Sequence, residues 1–104
     1  ADYFRKSLEW NPNDNSVRTA LASDLYYSGD TDNALDELDK VLKKDPNDID
    51  ALFNLGMIRF KGKNDAAGAI AAWQQLLKTH PDLDRKLTVE QLIAKAKEKS
   101  PARN

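Results

Sequence analysis

Residues 46–81 of the chain are PNDIDALFNLGMIRFKGKNDAAGAIAAWQQLLKTHP, and residues 12–46 before them are PNDNSVRTALASDLYYSGDTDNALDELDKVLKKDP. The two segments share a period that their prolines mark, because Pro12, Pro46 and Pro81 lie 34 and 35 residues apart. Each proline is followed by polar residues that favour turns. A period of this length is typical of proteins in which one small helical unit stacks on the next.

Each period contains two stretches in which apolar residues recur three and four positions apart. This spacing predicts amphipathic α-helices, and no stretch alternates apolar and polar residues as a half-buried strand does. Asp30 and either Asn47 or Asp48 are candidate N-caps, and the prolines end the preceding helices. The apolar positions are Val17, Ala20, Leu21, Leu25, Ala34, Leu35, Leu38, Val41 and Leu42 in the first period and Ala51, Leu52, Leu55, Ile58, Ala69, Ile70, Trp73, Leu76 and Leu77 in the second.

These residues resemble the tetratricopeptide repeat (TPR), a helix-turn-helix unit of 34 residues. Ala22 and Gly56 stand where the family packs its first helix closely against its second, and Ala34 and Ala69 stand where the second helix contacts the first. The resemblance covers residues 13–82. It implies an all-α fold in which tandem antiparallel helix pairs form a TPR superhelix with a C-terminal capping helix.

The resemblance also implies how the chain is divided. Phe4 and Leu8 precede Pro12 at the offsets that Leu38 and Leu42 have before Pro46, so we expect a truncated repeat at the start and at least one more repeat upstream. The expected parts are the second helix of a truncated repeat (1–12), repeat 1 (13–46), repeat 2 with one extra residue between positions 60 and 65 (47–82), a capping helix (88–100) and a disordered tail (101–104).

The capping helix is predicted from its first residues. Thr88 and Gln91 have the spacing of a capping box, in which a hydroxyl and an amide satisfy the first free backbone N–H groups of a helix. Val89, Ile93 and Ala96 then form one apolar stripe. An array of repeats needs such a terminal helix with one solvated face.

Composition excludes most chemical functions. The chain has 104 residues, of which 40% are hydrophobic and 32% charged, as in a small globular domain. It has no cysteine, which removes disulfides, thiolate metal sites and cysteine nucleophiles, and His80 is its single histidine. The acidic residues 45–50 lack the glycine and glutamate that a calcium loop requires. We therefore expect no enzyme activity, no metal and no cofactor.

Charge is distributed unequally along the chain. Residues 1–50 contain six basic and twelve acidic residues, whereas residues 51–104 contain ten basic and five acidic ones. The basic residues are scattered and are not interleaved with aromatic ones, so nucleic acid is not an expected partner. The apolar runs are far shorter than the ~20 residues that span a bilayer, so this segment is not expected to insert into a membrane. The asymmetry leaves open an alternative, head-to-tail self-association into a homo-oligomer.

The resemblance implies a protein or peptide partner, bound in a concave groove that the first helices of the repeats line. Aromatic and methionine side chains on that side exceed what a solvated face requires. Two alternatives remain open: these residues pack between helices, or they lie beneath a missing N-terminal repeat, with Tyr26 and Phe60 the leading candidates for packing. The predicted partner-binding residues are Thr19, Ser23, Tyr26, Tyr27, Phe53, Asn54, Met57, Phe60 and Lys61.

Two subclasses of the family are compared with these residues. TPR co-chaperones hold acidic C-termini with groove Lys and Asn residues; this chain has the uncharged Thr19 and Ser23 there, and only Asn54 matches. The run from Ala69 to Pro81 and the lone helix after it resemble the end of bacterial TPR proteins of c-type cytochrome maturation. That narrower resemblance implies a membrane-anchored bacterial protein whose repeats handle apocytochrome segments on the periplasmic face.

Overall fold

A computed structural model of the chain describes residues 2–11 and 14–99. Over these residues the chain forms six α-helices and no strand, which confirms the predicted all-α fold of helix pairs. Each helix packs against the next one along the chain. The helices are α1 (Asp2–Trp10), α2 (Asn15–Tyr27), α3 (Thr31–Lys44), α4 (Ile49–Gly62), α5 (Ala66–Thr79) and α6 (Lys86–Lys99).

An aspartate lies immediately before the first residue of each of the helices α2 to α5. In each case the carboxylate accepts a hydrogen bond from the backbone N–H three residues later, and these bonds measure 2.9–3.4 Å. An aspartate at this position satisfies one of the N–H groups that a helix leaves free at its start. The capping residues are Asp14, Asp30, Asp48 and Asp65.

The connections within the two helix pairs have the same length, residues 28–30 and 63–65, but the hydrogen bonds that close their turns differ in span by one residue. Gly29 and Asn64 both adopt the left-handed conformation, with φ of 92° and 53°, two residues before the next helix starts. The N–H of Asp65 donates to the carbonyl of Arg59, six residues back, at 2.8 Å, whereas the matching bond after α2 spans five residues. The second turn is therefore wider, and α4 is one residue longer than α2.

The core consists of two clusters that meet at α4. The first joins α1 to α4 and part of α5, and the second joins α4, α5 and α6. The fully buried Trp73 is central to the second cluster: its indole N–H donates to the carbonyl of Phe53 at 3.3 Å, and its ring meets Phe60 edge-on at 6.0 Å between centroids.

The C-terminal helix starts earlier than predicted. It begins at Lys86, so Thr88 lies inside its first turn and the capping box is wrong. The turn before it closes with a bond from the N–H of Lys86 to the carbonyl of Leu83, and the carbonyl of Arg85 then accepts from Val89 at 2.9 Å. The turn therefore leads directly into helix and leaves no cap position at Thr88. Residue 100 and the predicted tail, 101–104, lie outside the described residues.

Candidate functional site

Helices α2 and α4 lie side by side and enclose a groove, which we call the aromatic groove. It has a volume of about 180 Å³. The lining residues are Ser23, Tyr26, Tyr27, Phe53, Asn54, Met57, Ile58 and Lys61.

The groove brings together seven of the nine residues predicted to bind a partner. One residue that was not predicted to bind a partner, Ile58, also lines the groove. It is 3% exposed, and the sequence assigned it to the core. Ile58 also belongs to the first core cluster, so the groove rests directly on packed core.

Thr19 and Phe60 are not among the residues that line the aromatic groove, and their part in binding a partner stays a prediction. Thr19 is 7% exposed and Phe60 is 8% exposed. Thr19 precedes Ala22 by three positions and Phe60 follows Gly56 by four, so each shares a helix face with the small residue that packs against the second helix. Phe60 consequently contacts Trp73 and not the groove.

The two tyrosines of α2 have different environments. Tyr26 is half-buried and packs against the first core cluster, whereas Tyr27 is 85% exposed. Their rings meet edge-on with centroids 5.2 Å apart. Tyr26 thus supports the ring of Tyr27, which remains open to solvent at the edge of the groove.

A cation that the sequence did not predict lies over the ring of Phe53, one of the residues that line the groove. The guanidinium of Arg85 is 4.7 Å from the centroid of the Phe53 ring, and its Nη2 donates to Oδ1 of Asp50 at 3.0 Å. The cation–π contact and the ion pair together hold the guanidinium of Arg85 over the ring of Phe53. Arg85 belongs to the turn before α6 and lies on neither α2 nor α4. A projection of the side chains around those two helices could therefore not identify it.

A second hollow adjoins the aromatic groove, and we call it the polar hollow. It has a volume of about 230 Å³. The side chains of Ser23 and Asn54 border both spaces, and the amide nitrogen of Asn54 lies 3.5 Å from the hydroxyl oxygen of Ser23. The lining residues are Ser16, Thr19, Ala20, Ser23, Asp48, Asp50 and Asn54.

The described residues were also searched for a metal site. Residues 2–11 and 14–99 contain no group of three or more His, Cys, Asp or Glu side chains that could hold a metal ion. His80, at the C-terminal end of α5, contacts the turn between α3 and α4, with Nε2 2.6 Å from the carbonyl oxygen of Asn47. No helix in this part of the chain has the length and apolar character needed to cross a membrane.

Comparison with known families agrees with this geometry. The family model of the tetratricopeptide repeat matches residues 19–84, which is well over half of the chain. No curated protein matches the chain. The narrower resemblance to cytochrome maturation proteins stays a prediction.

Proposed function

This chain belongs to the tetratricopeptide repeat family, whose repeats generally mediate protein–protein interaction, and on that premise we propose that it is a non-catalytic adaptor that binds a peptide or protein segment in the aromatic groove. The partner segment places a large apolar side chain between α2 and α4. The observation that carries this proposal is the exposed ring of Tyr27 beside a concave surface built on packed core.

The chemistry of the groove suits such a segment. Tyr27 offers a large, stiff contact area with a polar tip, and tyrosine is enriched among the residues that dominate binding energy in interfaces. Met57 adapts its shape to different apolar partners. Ser23 and Asn54 at the border supply donors and acceptors for a bound backbone.

The test is a binding comparison between two tyrosine variants. Peptides that bind the protein are first selected from a displayed library of random dodecapeptides. The affinity of each selected peptide for the protein and for its variants is then measured by fluorescence anisotropy. Y27A is expected to weaken binding by about 2 kcal/mol, or about 30-fold, because the exposed ring supplies contact area that alanine lacks. Y3A is the matched control, since Tyr3 is 75% exposed and meets Phe4 edge-on at 5.4 Å, as Tyr27 meets Tyr26.

Circular dichroism of both variants verifies that the helices persist. Equal affinities of Y27A and the unsubstituted protein, or equal losses in Y27A and Y3A, would place binding outside the aromatic groove and remove the proposal.

The charge asymmetry favours a second candidate, a structural module that self-associates head to tail. In such an assembly residues 1–50, which carry a net negative charge, would contact residues 51–104 of another copy, which carry a net positive charge. Since salt screens such attraction, this function predicts a sedimentation mass that falls as salt concentration rises. A mass that does not depend on salt would remove it.

The predicted role in the bacterial envelope is a narrower form of the adaptor proposal. It names apocytochrome c segments as the partner and the periplasmic face of a membrane as the location. Synthetic apocytochrome c peptides in the same anisotropy assay test it. Binding that Y27A weakens supports cytochrome assembly, and absence of binding removes that role while leaving the adaptor proposal intact.

A further inference from the structure

We infer that the segment bound in the aromatic groove is acidic: it carries an aspartate or glutamate beside its large apolar side chain, and Lys61 receives that carboxylate. The inference rests on the proposed function, because both side chains belong to the segment that fills the groove. It defines the partner by chemistry, as a segment in which an acidic residue and an aromatic or large aliphatic residue are neighbours.

The lining of the aromatic groove carries positive charge. Of the described residues that line it, Lys61 alone is charged, and the others are apolar, aromatic, hydroxyl or amide side chains. Complementary charge across an interface favours the matching partner, and like charge disfavours the wrong one. A segment that brings a negative charge into this groove therefore meets attraction without a neighbouring carboxylate to repel it.

Lys61 is also the cation at this end of α4 that is left without a partner. Nη1 of Arg59 donates to the carbonyl of Gly68 at 3.4 Å, and Lys63 forms an ion pair with Asp32. No hydrogen bond or ion pair among the described residues reaches Lys61. Its ammonium group therefore has three donors for the carboxylate of a bound segment.

Lys61 and Tyr27 lie at the same end of the aromatic groove. Tyr27 is the last residue of α2, and Lys61 is the last but one of α4. The ammonium of Lys61 is carried one helical turn beyond Met57, which is about 6 Å along the axis of α4. An apolar side chain seated against Tyr27 and Met57 therefore has its neighbouring residue within reach of Lys61.

The opposite end of the groove does not require a second acidic residue. Arg85 lies over the ring of Phe53 there, and its guanidinium already donates to Asp50. The charge of Arg85 is thus balanced within the protein, whereas the charge of Lys61 is not. The expected pattern is one acidic residue next to the apolar one.

The inferred contact differs from the clamp of the TPR co-chaperones. That clamp holds an acidic C-terminus, and where it uses charged groove residues this chain has Thr19 and Ser23. Lys61 lies at neither position. Its partner is a side-chain carboxylate inside the bound segment, so a free C-terminus is not needed.

The test compares K61Q with K78Q on the selected dodecapeptides, which are synthesised with amidated C-termini so that only side chains supply carboxylates. Lys78 is the matched control, because it is the last but one residue of α5 as Lys61 is of α4, and both are exposed. Each substitution removes one positive charge from the same position in the helix dipole, but α5 does not line the groove. We expect K61Q to weaken binding about fivefold and K78Q to leave it unchanged.

A charge exchange identifies the two groups that meet. Replacing the acidic residue of the peptide by its amide is expected to weaken binding to the unsubstituted protein and to change binding to K61Q much less. A peptide with lysine in place of its acidic residue is expected to bind K61E more tightly than the original peptide does. Equal losses in K61Q and K78Q, or strictly additive losses in the cycle, overturn the inference.

Two further outcomes separate the inference from the function it rests on. Selected peptides whose binding depends on Tyr27 but which share no acidic residue beside the apolar one overturn the inference and leave the adaptor function standing. Selected peptides whose binding is unaffected by Y27A remove the adaptor function, and the inference with it.

Discussion

Gly56 lies where the indole of Trp73 crosses α4. A Cβ atom at Gly56 would be 2.1 Å from the indole nitrogen, closer than real Cβ contacts come. Trp73 is fully buried and its N–H is bonded to the carbonyl of Phe53, so the ring cannot withdraw without losing that bond. Close approach of α4 and α5 therefore depends on the absence of a side chain at this one position.

We expect G56A to reduce the free energy of unfolding by about 2–3 kcal/mol, because overpacking a rigid core displaces the helices. Urea unfolding measures this. In the double variant G56A/W73F the smaller ring leaves room for the new methyl group, so its loss should be clearly smaller than the sum of the two single losses. Strict additivity would show that the indole does not limit the approach.

Sequence reasoning at this scale succeeded where a residue's role follows from its own helix. The resemblance to the repeat family assigned Gly56 to close packing, and projection of helix phase assigned Tyr27 to the groove side. Phe60 packs against Trp73, which is the packing alternative that the sequence left open, and Thr19 lines the polar hollow beside the groove. Arg85 was missed because it lies in a turn, and a turn lacks the helical periodicity from which the direction of a side chain is inferred.

At the scale of the element, four successive helices start with the same aspartate cap. The carboxylate of Asp65, for example, accepts from the N–H of Gly68 at 2.9 Å. Such a cap also places a negative charge at the positive end of the helix dipole. The spacing of apolar residues predicted α2 to α5, and these caps mark where each of the four helices begins.

Substituting one cap tests this account. D65A is expected to reduce the free energy of unfolding by about 1 kcal/mol, since the N–H of Gly68 loses its acceptor. D65N is the control and should stay within a few tenths of a kcal/mol, because asparagine accepts the same bond. Thermal unfolding of the unsubstituted protein, D65A and D65N compares their free energies of unfolding. A loss in D65N as large as in D65A would point to charge and not to capping.

The start of α6 shows where a local motif fails. Thr88 and Gln91 have the residue types of a capping box, but the chain is already helical when it reaches Thr88. The turn that starts this helix is closed by backbone bonds at Leu83 and Lys86, and these have no side-chain signature. Tertiary packing of Val89 against α5 then sets the register.

At the scale of the whole molecule, α4 couples the two core clusters. Leu55 and Ile58 belong to the first cluster, whereas Leu52 and Phe60 belong to the second. The partly buried Leu42 packs against both. Since neighbouring repeats stabilise each other through such shared interfaces, loss of one end should destabilise the rest.

A substitution in α6 tests the coupling. V89A removes two methyl groups from a fully buried side chain and is expected to cost about 2 kcal/mol. L87A is the control on the same helix, because Leu87 is 68% exposed and its loss should stay within about 0.5 kcal/mol. Amide hydrogen exchange should show faster global opening of α4 as well as α6 in V89A; a change confined to α6 would contradict the coupling.

The stacking of helix pairs explains why the groove exists at all. Each pair packs its second helix behind its first, so α2 and α4 share a surface that neither α3 nor α5 covers. The repeat pattern predicted this surface and most of its lining. The polar hollow depended on side-chain geometry that the pattern does not contain.

The most direct measurement is a heteronuclear NMR titration of the labelled protein with a selected dodecapeptide. If the groove between α2 and α4 is the binding surface, the largest amide shift changes will fall on the turns of α2 and α4 around Ser23, Tyr27, Phe53 and Met57. Changes concentrated on α3 and α5, with these four positions unmoved, would contradict the account.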